Sequence, residues 1–106
     1  MEKQIVNIIN QLNNLESKLE INPDKTRLIR NIKGIKSSLN ELGYSYHNPI
    51  LESYNETRLD CEADIIGNEP DDLYISDVIK PIIFKNDTGG KIIVQKAIVI
   101  AQPKNT

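Results

Sequence analysis

The fold turns on one stretch, Arg58-Leu59-Asp60-Cys61-Glu62-Ala63-Asp64-Ile65. Leu59, Cys61, Ala63 and Ile65 alternate with Arg58, Asp60, Glu62 and Asp64, a period of two that predicts a strand with one wet face. Upstream, the clear periodicity is helical; downstream, apolar runs alternate with turn signals. Helices first and strands afterwards make an α+β fold. We expect an N-terminal antiparallel helical hairpin over residues 1–43 and a small, mostly antiparallel β-domain over residues 44–106.

Working upstream, Ile5, Ile8, Leu12, Leu15 and Leu19 are spaced by three and four residues, which places them on one helix face, with Ile9 widening the stripe. Pro23 disfavours helix at Asn22, so the first helix should end between Leu19 and Ile21. Asn22-Pro23-Asp24 then suits a helix start, with a capping amide, a proline at the first helical position and an acid at the positive end of the dipole. Leu28, Ile32, Ile35, Leu39 and Leu42 repeat the stripe, and Gly43 follows as the natural stop. Gly34 inside this helix costs about 1 kcal/mol relative to Ala. A hairpin of two such helices buries one seam. Two copies could cover the rest as a four-helix bundle with these ten residues at the dimer interface, or the helices could pack on their own sheet; the pattern allows both.

Residues 44–56 (YSYHNPILESYNE) lack a clean period and read as a connector whose Tyr44, Tyr46 and Tyr54 pack its inner side. Downstream of the alternating stretch, residues 67–72 (GNEPDD) form a turn. Leu73–Ile79 is a strand candidate limited by Pro81. Residues 86–90 (NDTGG) are the strongest turn signal, and the segment from Val78 to Ala101 reads as a hairpin around that five-residue loop. Gln102–Thr106 reads as a frayed tail.

The chain has 106 residues, enough for one ordinary domain, and a net charge of −2 from 13 basic and 15 acidic side chains. That balance argues against nucleic-acid binding. With no apolar run of about 18 residues and no apolar leader, neither a membrane span nor a secretory signal is expected. One cysteine, Cys61, makes no internal disulfide, so the expected setting is the reducing cytoplasm. Aromatic residues are 5% of the chain and isoleucine is the commonest apolar residue, which makes the core thin and oligomerisation attractive. Charge is segregated: residues 1–43 carry seven bases against five acids, 44–79 one base against nine acids, and 80–106 five bases against one acid. The acidic middle is either a solvated face or a docking surface for a basic partner.

Little in the chain points to bond chemistry. His47, the only imidazole, has no nucleophile motif beside it. Cys61 lies on the apolar side of a strand pattern and reads as an inert thiol. Asp60, Glu62, Asp64, Asp71, Asp72 and Asp77 match no metal-loop spacing. Thr88-Gly89-Gly90-Lys91 lacks the spacing and the following helix of a phosphate loop. We expect no enzyme activity, cofactor or metal.

Taken together, helices with heptad-like seams, the break at Leu42-Gly43, the stretch Tyr46-His47-Asn48-Pro49 with Glu52, and a closing segment of Val78-Ile79, Gly90 and Gln95-Lys96-Ala97-Ile98-Val99 resemble the GrpE family across residues 8–101. Members of that family are nucleotide exchange factors for DnaK-type chaperones. The chain departs from them in a long N-terminal helix cut to about twenty residues, in Gln95-Lys96 where the family carries arginine–proline, and in about eight extra residues in the acidic strand region. The resemblance implies a homodimeric stress-response co-chaperone whose β-domain wedges open the ATPase cleft. The partner contacts are then expected at Asp60, Glu62, Asp64, Gln95 and Lys96. A dimeric adaptor or regulatory protein of the same architecture, docked on another protein, is the alternative.

Overall fold

The computed structural model describes residues 2–19, 25–67 and 72–104. Two helices, α1 (Glu2–Leu19) and α2 (Lys25–Glu41), precede seven strands among these residues. The strands are β1 (Tyr44–His47), β2 (Ser53–Tyr54), β3 (Cys61–Ile65), β4 (Leu73–Lys80), β5 (Ile82–Asp87), β6 (Gly90–Gln95) and β7 (Ala97–Pro103). The fold is α+β, mostly antiparallel, with two sheets. The expected Asn22-Pro23-Asp24 cap, the middle of the 67–72 turn and the last two residues lie outside the described residues.

One sheet has the order β1-β5-β6 and the other β2-β4-β7-β3. A long hairpin links them: β4 runs into β5 and β6 into β7, and each crosses from sheet to sheet at one residue, Pro81 or Lys96. The far arm of the expected Val78–Ala101 hairpin is therefore two strands. The cause lies opposite, where Pro81 offers no N–H to the ladder. At this break the Gln95 side chain satisfies the Pro81 carbonyl, donating its Nε2–H at 3.0 Å. The turn of this hairpin is tighter than the five residues expected: Asp87 pairs with Gly90 and only Thr88-Gly89 lies between. Gly90, at φ +123°, occupies the left-handed region that glycine adopts freely.

The connector expected over 44–56 contains β1 and β2. Its four-residue alternation is too short to read as a strand alone, and pairing with β5 supplies what propensity does not. The three tyrosines do turn inward, Tyr44 fully and Tyr46 and Tyr54 half-buried. Gly43, at φ +93°, reverses the chain directly from α2 into β1, and Asn86 N–H donates to its carbonyl at 2.8 Å. The tail is not frayed at Gln102: β7 continues to Pro103 and Lys104 N–H reaches the Asp72 carbonyl at 3.1 Å. The alternating strand begins later than expected. β3 starts at Cys61, and Leu59 is 80% exposed instead of facing the core. β3 pairs with β7 in parallel, the one parallel pair among the described strands.

Two cores flank the sheet β1-β5-β6. On its helical side, Ile5, Ile9, Leu12 and Leu19 of α1 and Ile32 and Leu39 of α2 meet Tyr44 and Ile83. On the other side, Ile82 joins Cys61, Ile75, Ala97 and Val99. The inner half of each helical stripe thus packs on the chain's own sheet. Of the ten seam residues, Ile5, Leu12, Leu19, Ile32 and Leu39 are buried there, while Ile8, Leu15, Leu28, Ile35 and Leu42 stay exposed. Within each stripe these two sets alternate at the two heptad positions, so one side chain in two faces solvent.

Candidate protein-docking site

The parallel β3–β7 pair places two rows of side chains across the outer face of the sheet β2-β4-β7-β3. Glu62, Ile98 and Lys80 align in one row, and Asp64, Ile100 and Asp77 in the next. The four charged residues are exposed and the two isoleucines half-buried, whereas Cys61, Ala97, Val99 and Ala101 are buried on the inner face. Residues paired across a sheet share a face. The outer face is therefore an isoleucine centre flanked by acids, with one lysine at the end nearer the Pro81 crossover. α1 borders that end: Lys3, Asn7 and Asn10 line a cavity of about 420 Å³ together with Lys80 and Gln95.

The five expected contact residues separate into two groups. Glu62 and Asp64 stand on this face, and Lys96 is exposed at the crossover next to it. Asp60 and Gln95 are committed internally. Arg58 Nε donates to Asp60 Oδ1 at 2.7 Å and Arg58 NH2 to Glu52 Oε1 at 2.7 Å. The Asp60 carbonyl accepts Ala97 N–H at 2.9 Å, which starts the β3–β7 pairing. The Gln95 amide bonds Asn10 as well as Pro81, accepting at 3.3 Å and donating at 2.9 Å, so it ties α1 to the crossover. Ile98, Ile100, Asp77 and Lys80 were not expected. The small–large alternation of Ala97-Ile98-Val99-Ile100-Ala101 hinted at two faces. Only the pairing of β3 with β7 reveals which acids lie beside it.

Electrostatics around the site serve the scaffold. Arg58 beside Asp60 holds that carboxyl below its ordinary range. Partial burial acts to raise Glu52, but Arg58 and His47 outweigh it and the net shift is downward. His47 Nε2 contacts Glu52 Oε2, extending a chain of polar contacts from His47 through Glu52 and Arg58 to Asp60. Burial pushes the Cys61 thiol up to about 11, so it is protonated at neutral pH and a poor nucleophile. Among the described residues, no group of three or more His, Cys, Asp or Glu side chains is placed to hold a metal, and no helix is long and apolar enough to cross a membrane. What this arrangement offers is recognition through a charged and apolar surface. Set against family models, curated proteins and solved structures, the chain matches none.

Proposed function

We propose that the chain is a co-chaperone of the GrpE-like kind, which docks on the ATPase domain of a DnaK-type chaperone and promotes ADP release. One observation carries this reading: the outer sheet face presents Glu62, Asp64, Asp77 and the Ile98–Ile100 pair on strands held by a continuous hairpin. Such a face gives electrostatic steering from its acids and buried area from its isoleucines. The order of elements, two helices breaking at Leu42-Gly43 into a two-sheet unit closed by the last strand, agrees with it.

In this reading the helices form an antiparallel hairpin. Two copies then pair through Ile8, Leu15, Leu28, Ile35 and Leu42, the stripe residues that the chain's own core leaves exposed. The dimer projects its two β-units outward. Exchange requires no bond chemistry. A protein that binds the open nucleotide cleft more tightly than the closed one shifts the population toward the open state, and ADP leaves.

The test is release of a fluorescent ADP analogue from the DnaK-type chaperone of the same cell, with and without this protein. Acceleration by the parent, lost in Glu62→Lys/Asp64→Lys, is the expected result. A folded parent that does not change the release rate rejects exchange activity. One observation favours a second reading. Gln95 is tied to α1 and Pro81, and so is not free for the partner contact that the exchange reading expects of it. A dimeric adaptor docked through the same face on another protein fits that arrangement. It would bind its target through Glu62 and Asp64 and leave ADP release unchanged.

A further inference from the structure

We propose that an open cleft lined by α1, α2, β1 and β4 binds a peptide unit that carries a cationic side chain. The cavity holds about 520 Å³, a size suited to a capped amino acid. Asn13, Glu16, Lys36, Tyr46, Asn48 and Asp77 are among its walls. The inference does not rest on the exchange reading; the two share Asp77, and the amide shifts at residues 13–17 and 46–50 report on the cavity alone.

Asn13 is the anomaly. It sits in the middle of α1, only 2% exposed, beside Leu12 and Ile9. A buried amide is costly unless its hydrogen bonds are made. Its Oδ1 accepts from Asn48 Nδ2 at 3.0 Å, but its own Nδ2 has no partner. Rotating the amide end for end does not remove the problem. Asn48 Oδ1 already accepts Ile50 N–H at 3.0 Å, so Asn48 turns its NH2 toward Asn13, and Asn13 must answer with oxygen. Asn13 lines the cavity, and its unpartnered amide donor calls for an acceptor that the described residues do not supply.

The other groups decide what kind of acceptor. Glu16 is already occupied, taking the Tyr46 hydroxyl on Oε1 and Lys36 Nζ on Oε2 at 2.9 Å. Lys36 also lies over the Tyr46 ring, 5.0 Å from its centre. Asp77 Oδ1 accepts from Val78 N–H, and Asp77 makes no ion pair among the described residues. Two carboxylates against one ammonium make the cavity unwelcoming to an anion. A bare cation would satisfy Asp77 and leave Asn13 unpaired. A neutral carbonyl accepts from Asn13 without adding charge, and an attached ammonium or guanidinium answers Asp77. A lysyl or arginyl peptide unit carries both groups.

The experiment titrates the isotope-labelled full chain with Nα-acetyl-lysine N-methylamide, its norleucine counterpart and acetate, following amide resonances by NMR. The lysyl compound should saturate shifts at residues 13–17, 46–50 and 77–78 with a millimolar Kd, about tenfold tighter than the norleucine compound, and acetate should produce none. Asn13→Leu and Asp77→Asn should each weaken binding by roughly tenfold. Asp77 is exposed, so its variant keeps the fold even where the helix-core variant does not. The proposal is overturned if the lysyl compound gives no saturable shift, if acetate binds as well, or if Asp77→Asn binds the lysyl compound as tightly as the parent.

Discussion

Leu15→Asp combined with Ile35→Asp should convert a dimer of this chain into folded monomers. Both residues belong to the exposed half of the helical stripes, 56% and 43% accessible, so neither contributes much to the chain's own core. A half-exposed Leu or Ile gains about 1 kcal/mol when a partner covers the remainder. Five such residues on each of two copies give a gross gain on the order of 10 kcal/mol, from which an association cost at the low end of its range, about 4 kcal/mol, leaves about 6 kcal/mol, a Kd of tens of micromolar. The parent dimer should therefore be of micromolar affinity. The double variant changes four side chains per dimer, and at about 1 kcal/mol each the Kd rises roughly a thousandfold, before any cost of burying carboxylates. Sedimentation velocity across a concentration series measures this, with far-ultraviolet circular dichroism confirming retained helix. The choice of positions matters. Leu39, on the same stripe, is only 6% exposed and lies in the core against Tyr44 and Ile83, so Leu39→Asp would unfold the chain and mimic dissociation. A parent that stays monomeric and folded at about 100 µM refutes the pairing, as does a double variant that dimerises unchanged.

Three further outcomes follow from the packing and the charges. Ile83 is fully buried between the helices and the sheet, so Ile83→Ala should cost about 2–4 kcal/mol; helical dichroism and tyrosine near-ultraviolet signal should melt together, and separate transitions would disprove a shared core. Asp60 and Glu52 both titrate below their unfolded values because Arg58 holds their charged forms; the unfolded chain binds more protons, so this stabilisation is complete above about pH 5 and is lost as pH falls through the folded values, and Arg58→Met should flatten the loss of melting temperature on acidification. Gly34 has nothing within 4 Å of the position a Cβ would take and lies inside α2, so Gly34→Ala should raise stability by roughly 0.5–1 kcal/mol, measured by urea denaturation; a destabilised variant would contradict the open space there.

Helix periodicity was legible because amphipathic stripes are a local property: five leucines and isoleucines at heptad spacing need no knowledge of the partner. What the stripe packs against was not. Ile5 and Ile8 look equivalent in the sequence, yet one is 7% and the other 50% exposed, because a single sheet covers only one side of each helix. The strands beyond Arg58 were placed, but their boundaries moved wherever a long-range contact overrode local pattern. Leu59 alternates correctly and still lies outside, since pairing begins only where Ala97 N–H meets the Asp60 carbonyl. Ile92–Ala101 has high β-propensity on both sides of Gln95-Lys96, and that polar pair alone does not mark a crossover, which coincides with Pro81 across the hairpin.

The same long-range pairing organises the charge. Along the chain the acids belong to the middle segment and the lysines to the ends, a separation that by itself says nothing about surfaces. Parallel pairing of β3 with β7, and antiparallel pairing of β4 with β7, bring the two together on one face. Lys80 closes the Glu62–Ile98 row, whereas acids bracket Ile100 on both sides. The face is therefore graded, neutral at the crossover and strongly acidic one row away. A basic partner approaching it feels a torque as well as an attraction, because its positive end is drawn toward Asp64 and Asp77 and repelled near Lys80 and Lys96. The isoleucines between the rows supply contact area only after that alignment. Charge reversal at Glu62 and Asp64 thus removes the orienting field without touching the buried side of β3, which is why that pair of substitutions, and not the internally tied Asp60 or Gln95, separates docking from folding.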